Sequence, residues 1–227
     1  MVLGQPRVCD VGAGSIDHLK HRHIAVPIFL ASFYGLRRSE LLGLRWSSIN
    51  FETRWLQIDT TVVREKNGDR ILAVVRENTT KTSCSRRSLP LCQYTYQYFW
   101  NLRQKQLAQM SLCGTSYDPR YTDFVCVDDL GTLLQPDYVS QKFQKVLEKY
   151  QLRRIRFHDL RHSCATIMLY LGYSLKDIQT WLGHSNYNFT ADTYIHSAPA
   201  AHQRMASTLA ENLSVLQELT PIPESMC

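Results

Sequence analysis

Between residues 157 and 197 four side chains arrive in order: His158, Arg161, His184 and Tyr194. As a set they suit phosphoryl chemistry. A guanidinium grips two phosphate oxygens at once through parallel N–H donors. An imidazole exchanges a proton near neutral pH, and a phenol attacks as a nucleophile once ionised. Singly, each has an ordinary reading: a histidine packed on a helix, a solvated arginine, a core tyrosine. The ordered set changes the odds.

These residues need elements to carry them. Residues 157–173 read as a helix with His158 and Arg161 at i and i+3 on a shared face, beside an apolar stripe of Leu160, Cys164, Ile167 and Leu171. Gly172 ends it. The next helix opens with Ser174 and Asp177, a capping-box pattern, buries Leu175, Ile178 and Leu182, and closes at Gly183. His184 is therefore expected at a helix exit, with Tyr194 beyond a stretch rich in turn formers.

Further upstream, residues 17–34 carry Leu19, Ile24, Ile28 and Ala31 near the helical period, and Gly35 is placed to cap them. Ser39 and Glu40 suit the first turn of a following helix, so Arg37 falls in a tight turn between two helices. Residues 55–63 alternate as a strand, Asn67-Gly68 signals a hairpin before a strand at 70–75, and a third strand is expected at 87–91. The polar turn at 77–82 can carry a side chain outwards. Long helices are expected at 94–110, with Tyr94, Tyr98, Leu102 and Leu107 as its buried candidates, and at 136–150.

His158-x-x-Arg161, Leu182-Gly183-His184 and Tyr194, with Gly35-Leu36-Arg37-Arg38-Ser39-Glu40 far upstream, resemble the signature boxes of the tyrosine recombinase (phage integrase) family. The boxes are specific in combination and weak alone. The resemblance covers roughly residues 17–198 and is closest to integrases of phages and conjugative elements. It implies an α+β fold, a mainly helical catalytic domain with a small three-stranded antiparallel sheet. It also implies site-specific DNA strand cleavage and rejoining through a 3′-phosphotyrosyl intermediate.

On that resemblance Arg37 and Arg161 clamp the non-bridging oxygens, His184 donates to the same phosphate, and His158 orients the group or accepts the proton of Tyr194. Lys81, in the 77–82 turn, matches the family's catalytic lysine and would protonate the leaving 5′-oxygen. Glu40 and Asp159, each an acid beside a catalytic cation, are expected as supports. Arg38, Arg86, Arg87, Arg154 and Arg156, with Arg153 next to them, are expected to neutralise flanking phosphates, a solvated face being the alternative.

Composition agrees with a polyanionic partner and narrows the rest. The chain has 227 residues, 44% of them hydrophobic, a net charge of +6 and a pI near 9.0, which suit a polyanion; the resemblance implies double-stranded DNA at recombination sites as the partner. Seven cysteines, odd in number and without a CxxC pair, indicate a reducing compartment, and the resemblance implies the cytoplasm, in a bacterium or encoded by a phage or mobile element. Cys9 with His18, His21 and His23 matches no zinc module, and no metal, cofactor or membrane insertion is expected.

Residues 1–16 read as a loose leader, 17–219 as the catalytic domain and 220–227 as a disordered tail. Met205, Leu209, Leu213 and Leu216 mark a helix whose apolar stripe docks on a neighbouring protomer in the family, giving a homo-oligomer on DNA; packing on its own domain is the alternative. Most family members carry a helical DNA-gripping domain ahead of the catalytic one, and residues 1–16 are too short for it. A DNA-binding regulatory fragment that does not complete recombination is therefore the competing expectation, with a type IB topoisomerase behind it.

Overall fold

The computed structural model describes residues 22–67, 70–77 and 86–183. Helix α1 (Arg22–Phe33) contributes to the main hydrophobic core. Ile24, Val26, Ile28, Leu30 and Ala31 are all buried, because a helix that is apolar nearly all round must be surrounded. The short α2 (Arg38–Gly43) follows and buries Leu41 and Leu42 against the same core.

Three short strands, β1 (Ile49–Asn50), β2 (Trp55–Ile58) and β5 (Arg87–Pro90), form an antiparallel sheet in the order β1-β2-β5. Strands β3 (Thr60–Asn67) and β4 (Arg70–Glu77) make a separate two-stranded ribbon, in register from Thr60↔Glu77 to Asn67↔Arg70. The α+β class and the three-stranded sheet are thus as expected, but the membership differs. The single strand expected over 55–63 breaks at Asp59, a poor strand former whose carboxylate accepts a bond from the Thr60 hydroxyl at 3.0 Å. The final strand pairs with β2, Ile58 opposite Arg87, rather than with the hairpin.

Helix α3 (Gln93–Cys113) packs by Thr95 and Phe99, with Tyr98 and Leu102 half-buried. Tyr94 and Leu107, expected inside, are exposed. Helix α4 (Pro136–Lys149) buries Val139, Phe143, Val146 and Leu147. Helix α5 (Asp159–Tyr170) buries Leu160, Arg161, Cys164 and Ala165, whereas Ile167 and Leu171 of its expected apolar stripe face outwards. Helix α6 (Leu175–Leu182) sets Ile178 and Leu182 against Ala165 in a small satellite core.

Eight residues are too few for a helix to hold itself in water. Three devices hold α6: the expected capping box, with Ser174 Oγ accepting from the Asp177 N–H at 3.1 Å and the Asp177 carboxylate accepting from the Ser174 N–H at 3.2 Å; two buried side chains, each contributing on the order of 2 kcal/mol; and a set of arginines at its C-terminal end.

Candidate active site

The turn between α1 and α2 places the first of these arginines. Gly35 sits at φ 63, the left-handed region open to glycine at no steric cost. The Leu36 N–H reaches back six residues to the Leu30 carbonyl at 3.3 Å and closes the turn onto the end of α1. Arg37 follows at the N-cap of α2, and its own N–H is satisfied by Glu40 Oε2 at 3.0 Å.

Glu40, 3% exposed, is a hub of positive charge. Its Oε1 accepts from Arg37 Nη1 at 2.6 Å and from Arg87 Nη1 at 3.3 Å; its Oε2 accepts from Arg87 Nη2 at 3.0 Å. Arg161 Nη1 stands 3.8 Å from Oε2. Burial by itself would raise the carboxyl, but the guanidiniums, Arg87 foremost, hold it down to about 2.

Three consecutive carbonyls at the end of α6 each take a different guanidinium. Arg87 Nε donates to Trp181 O at 2.8 Å, Arg161 Nη2 to Leu182 O at 2.8 Å, and Arg37 Nη2 to Gly183 O at 3.0 Å. Arg161 Nη1 also donates to Gly35 O at 2.6 Å, tying the glycine turn to the same point. These are groups that a helix C-terminus leaves unsatisfied and that cations favour. Gly183, at φ 70, turns the chain out of α6 beside them.

Arg161 is 2% exposed, whereas the Arg37 side chain is 35% exposed and forms the open edge of the pair. Burial, then the charge of Arg37, lowers the Arg161 guanidinium to about 9, which leaves it cationic at neutral pH. His158, at the N-cap of α5, has its pKa lowered by partial desolvation of its ring and then by His162 and Arg161, with a smaller contribution from Arg37 and opposition from Asp159. The lowered value favours a neutral imidazole able to accept a proton.

Beside His158 runs a cleft of about 440 Å³, lined on its polar side by Arg38, Arg64, Arg156 and His158. Arg38 is held there by Ser140 Oγ at 2.5 Å. Arg154 and Arg86 are exposed. Two of the expected residues have partners within the protein. The Asp159 carboxylate accepts from the Arg156 backbone N–H at 2.8 Å and side chain at 2.9 Å, and its charge also favours protonated His158. The Arg87 side chain, expected at a flanking phosphate, is 7% exposed and pairs with Glu40. A buried role for Arg87 carries no sequence signal, because strand alternation does not say what lies across the core. Arg64, on β3, likewise carries no such signal in the sequence.

Lys81, His184 and Tyr194 lie outside the described residues, as do 1–16 and the helix expected within 199–219. Cys9, His18 and His21 lie there too; among the described residues no three His, Cys, Asp or Glu side chains are grouped to hold a metal.

Residues 16–201 match the phage integrase family. The chain is similar to a XerC-like tyrosine recombinase of Caldanaerobacter subterraneus subsp. tengcongensis, 28% identical over 199 residues that cover 85% of this chain and 50% of that protein. It is also similar to the transposase from transposon Tn916 of Enterococcus faecalis, 27% identical over 172 residues, 72% of this chain and 40% of that one. It thus spans half or less of the length of these relatives. Among solved structures, the fold is similar to that of the Tn1549 transposon integrase in complex with circular intermediate DNA, with TM-score 0.70 and 23% identity over 90% of this chain and 67% of that one. The XerA recombinase gives 0.57 and 16% over 82% and 56%. With the arginine-lined turn, the helix it clamps and a match over most of its length, the chain belongs to the phage integrase family.

Proposed function

We propose that this chain carries the catalytic domain of a site-specific DNA recombinase that cuts and rejoins one strand at a time through a 3′-phosphotyrosyl intermediate. The observation that supports this most is the convergence of Arg37 and Arg161 on the last turn of α6, one residue before His184.

A tyrosine phenol has a pKa near 10, so about a thousandth is phenolate at neutral pH. Cations must help it attack. In this reading Arg37 and Arg161 stabilise the extra negative charge of the pentavalent transition state, His184 donates to the same oxygens, His158 accepts the proton of Tyr194, and Lys81 protonates the departing 5′-oxygen. Losing one such preorganised donor costs on the order of a hundred- to a thousandfold in rate. The phosphotyrosyl bond conserves the energy of the broken phosphodiester, so rejoining needs no nucleotide.

Arg38, Arg154 and Arg156 would contact flanking phosphates, and a C-terminal helix within 199–219 would join protomers on DNA. A cytoplasmic setting fits this chemistry; among the described residues no helix is long and apolar enough to cross a membrane. The test is a duplex nicked near the scissile phosphate, drawn from attachment sites of the source element and incubated in EDTA. The expected result is a covalent band on a denaturing gel that disappears in Tyr194→Phe while DNA binding persists. An adduct with Tyr194→Phe would remove Tyr194 as nucleophile. Binding without any wild-type adduct would favour a regulatory DNA-binding role instead.

A further inference from the structure

We propose that Arg87 is a positioning residue for strand cleavage, acting through Glu40 and the last turn of α6; this rests on the cleavage reading above. Arg87 makes no use of solvent. Its Nη1 and Nη2 form a forked pair with both Glu40 oxygens at 3.3 and 3.0 Å, and its Nε holds Trp181 O at 2.8 Å. It is the first residue of β5, six positions after Lys81, and Trp181 stands three positions before His184. One side chain therefore links β5, the acid that holds Arg37 and the C-terminal end of α6.

The geometry gives Arg87 a second task. Glu40 is the carboxylate shared by Arg37, Arg87 and Arg161, and Arg161 waits 3.8 Å from its Oε2. With Arg87 in place, both oxygens are saturated. Remove it, and the buried carboxylate keeps Arg37 and draws in Arg161, the next guanidinium in reach at 3.8 Å. That pull draws the Arg161 fork away from a bound phosphate, and the loss of the Arg87 Nε donor frees Trp181 O. A lysine cannot substitute: it keeps the charge but lacks the planar fork that spans two oxygens and a carbonyl.

Single-turnover adduct formation on the nicked duplex separates positioning from folding. A merely structural residue would change the amplitude, the fraction of molecules able to react. A positioning residue changes the rate constant at unchanged amplitude. Arg87→Lys and Arg87→Gln are expected to bind the duplex within about threefold of wild type and to form adduct about 100-fold more slowly. Because Arg87 acts through Glu40, Glu40→Gln combined with Arg87→Gln should be no slower than the slower single variant. A wild-type rate in Arg87→Lys, a loss confined to amplitude, or strictly multiplicative losses in the double variant would overturn the role. If the wild type forms no adduct on any site, the cleavage reading falls and this role falls with it.

Discussion

Glu40 shows how a single buried acid can be made tolerable by its neighbours. A carboxylate 3% exposed is costly unless paired, and here it accepts from two guanidiniums and a backbone N–H. The pairing carries a pH signature. The folded carboxyl sits near 2 against an ordinary 4.5, so its contribution is fully present above pH 4.5 and is lost as pH falls towards 2. That difference is worth about 3 kcal/mol. Urea denaturation at pH 6 and at pH 3 should show a larger acid loss for the wild type than for Glu40→Gln, which has no charge to lose. Parallel losses in the two proteins would refute the assignment.

The element that matters most is α6, and it borrows its stability. Its capping box, its two buried side chains and its three arginine-bonded carbonyls all act on eight residues. Gly35 is part of that arrangement: a Cβ there would come 2.4 Å from Leu182 Cδ2, and the φ of 63 is strained for any side chain. Gly35→Ala should therefore cost about 2 kcal/mol in chemical denaturation. It should also slow adduct formation, because moving Leu182 moves the carbonyl that anchors Arg161. An unchanged denaturation midpoint would show that the turn has more slack than this packing implies.

For the whole molecule, the net charge of +6 concerns association rather than fold. If exposed arginines neutralise phosphates, the logarithm of DNA affinity falls linearly with the logarithm of salt concentration. Each contact contributes about 0.9 to that slope. Arg38→Gln, Arg154→Gln and Arg156→Gln should each flatten it by about 1. Arg87→Gln should leave it unchanged, because that charge is already spent on Glu40. A flattened slope in Arg87→Gln would mean that its side chain does reach DNA.

The helices around the site were legible in the sequence because their signals are local: Gly35 and Gly183 at left-handed φ, Ser174 with Asp177 at a helix start, apolar residues at the helical period. The order of His158, Arg161 and the turn carrying Arg37 was legible for the same reason. Long-range partners were not. That Arg87 faces Glu40, that Asp159 serves Arg156, and that β5 joins β2 rather than the hairpin depend on contacts between residues distant in the chain or on the choice among several nearby charges. Spacing says which face of an element a residue occupies. Only the packing of one element on another decides which charge meets which, and that decision turned a set of basic residues into a clamp around the end of α6.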